Sequence, residues 1–167
     1  MSTPEITVVN PPDDERQLGH RLLELLDERT RQLQQLARTL VDEYWLTHTQ
    51  ESIKRSGKDR GYTVPRCRLL KGTLHIEWFR QRTAKTLNPQ TQQRYVFSDY
   101  LPKGRECRYP DAVFQRVARD WELPLIQDYE ARFADLRRRA RALSQLRVQV
   151  RRRLLRPVTP APERGHD

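Results

Sequence analysis

Cysteine, glycine and lysine are scarce in this chain, and long apolar runs are missing. Only Cys67 and Cys107 stand among 167 residues, each beside an arginine and neither near a further cysteine or histidine at ligand spacing. That excludes a disulfide framework and a zinc site, and reduced thiols are expected. Six glycines form no phosphate-cradling loop. His20, His48, His75 and His166 fall on separate stretches with no HxH or HExxH pattern, so neither a metal nor another cofactor is expected. No apolar run nears membrane-spanning length, and no signal-peptide or lipidation pattern is present. The expectation is a soluble cytoplasmic protein with no membrane partner.

Charge, by contrast, is plentiful. There are 32 Lys+Arg against 22 Asp+Glu, a net charge of +10, and only five of the cations are lysines. Arginine grips phosphate bidentately and stacks on bases, although GC-rich coding produces the same bias. The excess is uneven: residues 1–60 carry −2, residues 61–110 carry +7 and residues 111–167 carry +5. Nine arginines and no carboxylate lie between Arg137 and Arg156. Such asymmetry points to a polyanionic partner. Hydrophobic residues make up 36% of the chain, which suits long helices with one apolar stripe better than a large core.

Periodicity divides the chain. A loose arm is expected over 1–10. Asn10, Pro11, Asp13, Asp14 and Glu15 read as a helix start. Leu22, Leu26, Arg29, Leu33, Leu36, Leu40 and Tyr44 then step by fours and threes, with Leu18, Leu23, Leu25, Ala37, Val41 and Trp45 widening the stripe, predicting a helix over 11–56. The pattern changes at "RCRLLKGTLHIEWFRQR", two strands around a Lys-Gly turn, with Leu74, Ile76 and Trp78 on one face and Arg80 and Arg82 continuing it. "QRYVFSDYL" is a third strand. "RECRY", after a second Lys-Gly turn, is a candidate fourth, which places a meander over 63–109 and a surface loop at "KTLNPQTQQ". A short helix follows over 111–122, ended or kinked by Pro124. A long helix over 124–156 carries the seam Ile126, Tyr129, Phe133, Leu136, Ala140, Leu143, Arg147, Val150 and Leu154. The proline-rich end, 157–167, reads as a disordered tail. The predicted fold is α+β: two long antiparallel helices with an inserted three- to four-stranded antiparallel sheet and a short helix, in one domain.

Three kinds of chemistry compete. Catalysis needs converging groups, and the strand region offers only Glu77, Asp99 and Glu106, with Tyr95, Tyr100 and Tyr109 lacking a base or metal beside them. The chain is therefore not expected to be an enzyme. Nucleic-acid binding fits the cations interleaved with aromatics. The expected phosphate contacts are Arg66, Arg68, Lys71, Arg80, Arg82, Lys103, Arg105 and Arg108 around the hairpins, with Arg151, Arg152 and Arg153 as a second patch. Against this, aromatics such as Trp78 are commonly core, and Lys-Gly simply suits a turn. The arginine run can also pair with acids of the first helix, each pair worth little. The third kind is a coiled-coil adaptor that docks on a protein or forms a homodimer without touching nucleic acid.

Four stretches, "LVDEYW" (40–45), "HIEWFR" (75–80), "YLPKGRECRYP" (100–110) and "DWELPLIQDYEARFADLRRRARALSQLR" (120–147), resemble the MobI family of conjugative-transfer proteins. The resemblance implies an auxiliary factor that assists initiation of transfer at the origin of transfer, alongside a separate relaxase. It brings no catalytic residues and no assigned binding positions, so the candidate contacts rest on charge and placement.

Overall fold

The computed structural model describes residues 13–87, 89–92 and 94–156. The expected arm, the Asn10 cap and the expected tail lie outside these residues. The elements are helix α1 (Asp13–Ile53), a 3₁₀ turn (Gly57–Asp59), strands β1 (Thr63–Leu70), β2 (Thr73–Leu87) and β3 (Arg94–Tyr100), helix α2 (Asp111–Gln115), helix α3 (Glu122–Val150) and a π-helical turn (Arg151–Leu155). Helix and sheet are mixed as expected, but the described sheet has three antiparallel strands, in the order β1-β2-β3. "RECRY" forms no strand. No described helix is long and apolar enough to cross a membrane.

Local chemistry accounts for the helix ends. Asp13, Asp14 and Glu15 occupy the first turn of α1 and complement its positive end. Pro124 sits in the first turn of α3, where a missing N–H costs nothing. It therefore helps start α3 instead of kinking the helix before it, and α2 stops at Gln115, short of the expected residue 122.

The chain divides into two compact units, one from Met1–Arg29 with Ala142–Asp167 and the other Thr30–Arg141. In the first, Gly19 lies so close to Leu154 and Leu155 that an added Cβ would stand 2.8 Å from Leu155 Cδ2. Arg147, a seam position, pairs with Asp27 there.

In the Thr30–Arg141 unit, Ile126, Tyr129, Phe133, Leu136 and Ala140 are all buried, as the α3 rhythm predicts. On α1 the buried line is Thr30, Leu33, Ala37, Val41, Tyr44 and His48, whereas Leu36 is 49% exposed. From Leu33 a step of three or of four is equally helical, and the buried line runs through Ala37 and Val41, at the flank of the expected stripe, while Leu36 at its expected centre faces out. Tertiary partners choose the face: the Tyr44 hydroxyl donates to the Thr63 carbonyl at 2.7 Å, and His48 Nε2 hydrogen-bonds Glu122 Oε1 at 2.8 Å. Those pairs, with Tyr44 packed edge-on to Tyr129 at 5.3 Å, run along α1 and α3 in opposite chain directions.

Trp78 is the centre of this unit. It is fully buried and meets Tyr44, Phe114 and Phe133 edge-on at 5.0, 5.3 and 5.8 Å. Its indole N–H donates to Glu130 Oε2 at 2.7 Å. Glu130 also accepts from the Tyr109 N–H at 2.8 Å and from Arg137 Nη1 at 2.8 Å and Nη2 at 3.1 Å. A second buried carboxylate, Glu122, accepts from the Thr63 N–H at 3.0 Å and the Arg119 N–H at 2.7 Å as well as bonding His48. Gly61 makes room for it: a Cβ there would fall 2.5 Å from the Glu122 carboxyl carbon.

Burial, and then the nearby Glu122 charge, hold the Tyr44 pKa well above the ordinary tyrosine value, and burial likewise raises that of Tyr109. A raised folded pKa means the native state keeps protons that the unfolded state loses. The associated stability is intact below about pH 10 and is lost as pH climbs toward the folded values. Ultraviolet titration should therefore show Tyr44 and Tyr109 ionising only as the native circular dichroism collapses. Tyr44→Phe and Tyr109→Phe should each remove one late-ionising group. Ionisation of both with native dichroism retained would contradict this.

Candidate nucleic-acid interface

The sheet is two hairpins sharing one long strand. β1 pairs with β2 from Leu70↔Thr73 to Thr63↔Arg80, and β3 pairs with β2 from Phe79↔Tyr100 to Leu87↔Arg94. Only Phe79 and Arg80 have partners on both sides. β2 runs to Leu87, so the strand takes in the first three residues of the expected surface loop. Where β3 has turned away, other groups satisfy the β2 backbone, as buried polar groups require. The Leu101 N–H donates to the Trp78 carbonyl at 2.9 Å. The Trp78 N–H reaches the Tyr109 hydroxyl at 3.3 Å. Arg137 Nε donates to the Ile76 carbonyl at 2.9 Å. These contacts stand where a fourth strand was expected.

The two Lys-Gly sites therefore differ. Lys71 and Gly72 have φ of 49° and 74°, the two left-handed residues of a tight hairpin turn, and Lys71 is exposed at the tip. The second site lies in the strandless stretch after β3. Lys103 is half-buried and its ammonium donates to the Glu106 carbonyl within its own loop. Burial, then the neighbouring Arg137 guanidinium, lowers its pKa. Lys103 is thus a brace inside a folded loop, which is a correction to its expected place at a hairpin tip. The Arg105 carbonyl in the same loop accepts from Arg141 Nη2 at 2.6 Å, and the exposed Arg108 stands 3.7 Å from Asp111.

The remaining cations divide between the two faces of the sheet. Arg66 and Arg68 share a face of β1. The Arg66 guanidinium lies over the Phe79 ring at 4.3 Å, and Phe79 meets Tyr100 edge-on at 5.8 Å. Arg68 pairs with Glu77 at 3.2 Å. Arg80 is half-buried and flanked in register by Thr63 and Asp99, on the opposite face. Arg82 continues that face and donates to Asp99 Oδ1 at 2.8 Å. Arg151, Arg152 and Arg153 are exposed in the π-helical turn of the other unit.

An exposed pair such as Arg82–Asp99 is worth little in water, whereas Arg68 pairs with a Glu77 side chain that is only 15% exposed. The arginine run from Arg137 behaves differently along its length. Arg137 is buried on Glu130, whereas Arg138 and Arg139 are exposed and pair with Asp135 at 3.5 and 2.7 Å. No cluster of His, Cys, Asp or Glu fit to hold a metal occurs among the described residues. Most buried partners of Glu122 and Glu130 were not visible in the sequence, because His48, Thr63, Trp78 and Tyr109 stand 21 to 74 residues from the carboxylates they bond. One signal was there to be read: no carboxylate lies between Glu77 and Asp99.

A family model described as MobI protein matches residues 33–151, more than two thirds of the chain. No curated protein and no solved structure matches it.

Proposed function

The chain belongs to the MobI protein family, and on that premise we propose that it is a non-enzymatic auxiliary factor that binds DNA at the origin of transfer and works with a separate relaxase in the cytoplasm. The observation that carries this reading is the strand region. Residues 61–110 hold a +7 excess, and Arg66, Arg68, Lys71 and Arg82 stand exposed on one small sheet. Cations at that density focus a positive potential suited to a phosphate backbone. Arg80, Arg105 and Arg108, with Arg151 to Arg153, extend the set of candidate contacts; Lys103 contributes charge from within its loop.

The test is a mobility-shift titration against duplex DNA from the origin of transfer. Four to eight phosphate contacts give a log–log slope of affinity on salt of about −4 to −7, a loss of roughly 10²–10⁴-fold between 50 and 200 mM. Lys71→Glu should weaken the complex with little change in thermal stability, since Lys71 is exposed at a turn. If no complex formed at about 50 mM salt, where phosphate contacts are little screened, the reading would be abandoned.

One observation favours the adaptor reading. Leu36, Leu46 and Ile53 on α1 are 49%, 62% and 69% exposed, an apolar set that a protein partner or second copy would cover. Under that reading a pull-down recovers a protein after nuclease treatment, and the sheet cations are dispensable.

A further inference from the structure

Past Gln81, whose N–H still reaches the Tyr62 carbonyl at 2.8 Å, β2 is paired with β3 alone. The two strands form a ribbon through Arg82↔Phe97, Thr83↔Val96 and Leu87↔Arg94, with a register shift between Thr83 and Leu87. Its exposure is unusual for apolar side chains in a sheet: Leu87 is 50%, Val96 60% and Phe97 54% exposed. Arg82 and Phe97 share one face, Thr83 and Val96 the other.

We propose that this ribbon enters the major groove of duplex DNA with its Thr83–Val96 face toward the bases, Gln81, Thr83 and Val96 against base edges and Arg82 and Arg94 at the phosphates. The inference rests on the DNA-binding reading and adds which element meets which groove. Three observations carry it. Charge is the first: from Trp78 to Ser98 there is no carboxylate, while Arg80, Arg82, Lys85 and Arg94 supply four cations. Size is the second. Six residues beyond Gln81 at about 3.3 Å each give an arm of about 20 Å, and two strands about 4.8 Å apart fit a groove about 12 Å wide. Chemistry is the third. Arginine and glutamine bond guanine and adenine edges bidentately, threonine bonds either, and apolar side chains meet the thymine methyl. A peptide strand added to the ribbon edge would need none of this positive bias.

The experiment uses the full chain and labelled duplexes of about 30 base pairs tiled across the origin of transfer, at about 50 mM salt. Thr83→Glu with Val96→Glu puts two carboxylates on the exposed ribbon face and should lower affinity at least about tenfold. Thr83→Lys with Val96→Lys should preserve or raise it. Both side chains are exposed cross-strand partners, so the like-charge repulsion is common to the two variants; both should keep the wild-type circular dichroism and melt at about the same temperature as each other. Guanine N7 methylation, which alters only the major-groove edge, should weaken the wild-type complex, and a minor-groove drug should not; this arm needs no variant. A wild-type complex insensitive to both the glutamates and N7 methylation overturns the ribbon assignment alone. Failure of every duplex to bind wild-type protein overturns the DNA-binding reading and the ribbon with it.

Discussion

Glu130→Ala should destabilise the protein by about 3–5 kcal/mol, the usual consequence of removing one partner of a buried ion pair. For a chain of this size the melting temperature then falls by on the order of 10 °C. The Glu130 and Arg137 side chains are only 1% and 6% exposed, so water cannot replace the lost carboxylate. Its removal strands Arg137, the Trp78 indole N–H and the Tyr109 backbone N–H together. Glu130→Gln keeps an acceptor but no charge and should fall between the two. Converting both members of the pair to apolar residues should not restore stability, because Arg137 also holds the Ile76 and Cys107 carbonyls, each at 2.9 Å. Thermal and urea unfolding followed by circular dichroism decide the matter. A Glu130→Ala protein melting within about 2 °C of wild type would show that the pair is dispensable.

Trp78→Ala should cost about 3–5 kcal/mol through the cavity it opens. The ring is fully buried against Tyr44, Phe114 and Phe133, so no neighbour can fill the space without leaving its own contacts. Trp78→Phe retains most of that packing and loses the bond to Glu130, so its cost should be clearly smaller. Because Trp78 and Glu130 are bonded to each other, the double substitution should cost less than the sum of the singles. The rival reading of the aromatic residues in "HIEWFR" is a stacking platform for bases. In that case Trp78→Ala would melt like wild type and lose DNA affinity instead.

The stretches that carry the family resemblance are rich in these buried groups. "LVDEYW" holds Val41 and Tyr44, "HIEWFR" holds Ile76, Trp78 and Phe79, and the long stretch from Asp120 holds Glu122, Glu130 and Arg137. The motif residues thus speak first for how the Thr30–Arg141 unit is built. The exposed cations of β1 and the ribbon are where contact with a partner is proposed.

The sequence by itself determined what is local. Helical periodicity marked α1 and α3 and nearly the whole buried seam of α3, alternation marked the strands, and positive charge concentrated in residues 61–110. These follow from neighbours within a few residues, through the 3.6 and 2.0 repeats and simple counting. The tertiary structure alone decided the rest. It set which side of the α1 stripe is buried, the brace role of Lys103, the absence of a strand at "RECRY" and the extension of β2 into a ribbon. The physical reason is sequence distance. Glu122 and Glu130 are bonded by groups up to 74 residues away, and a buried polar atom must be satisfied by whatever the fold brings to it. Arginine shows this most clearly, since Arg137 and Arg138 are adjacent in sequence and one is locked in the core while the other faces solvent.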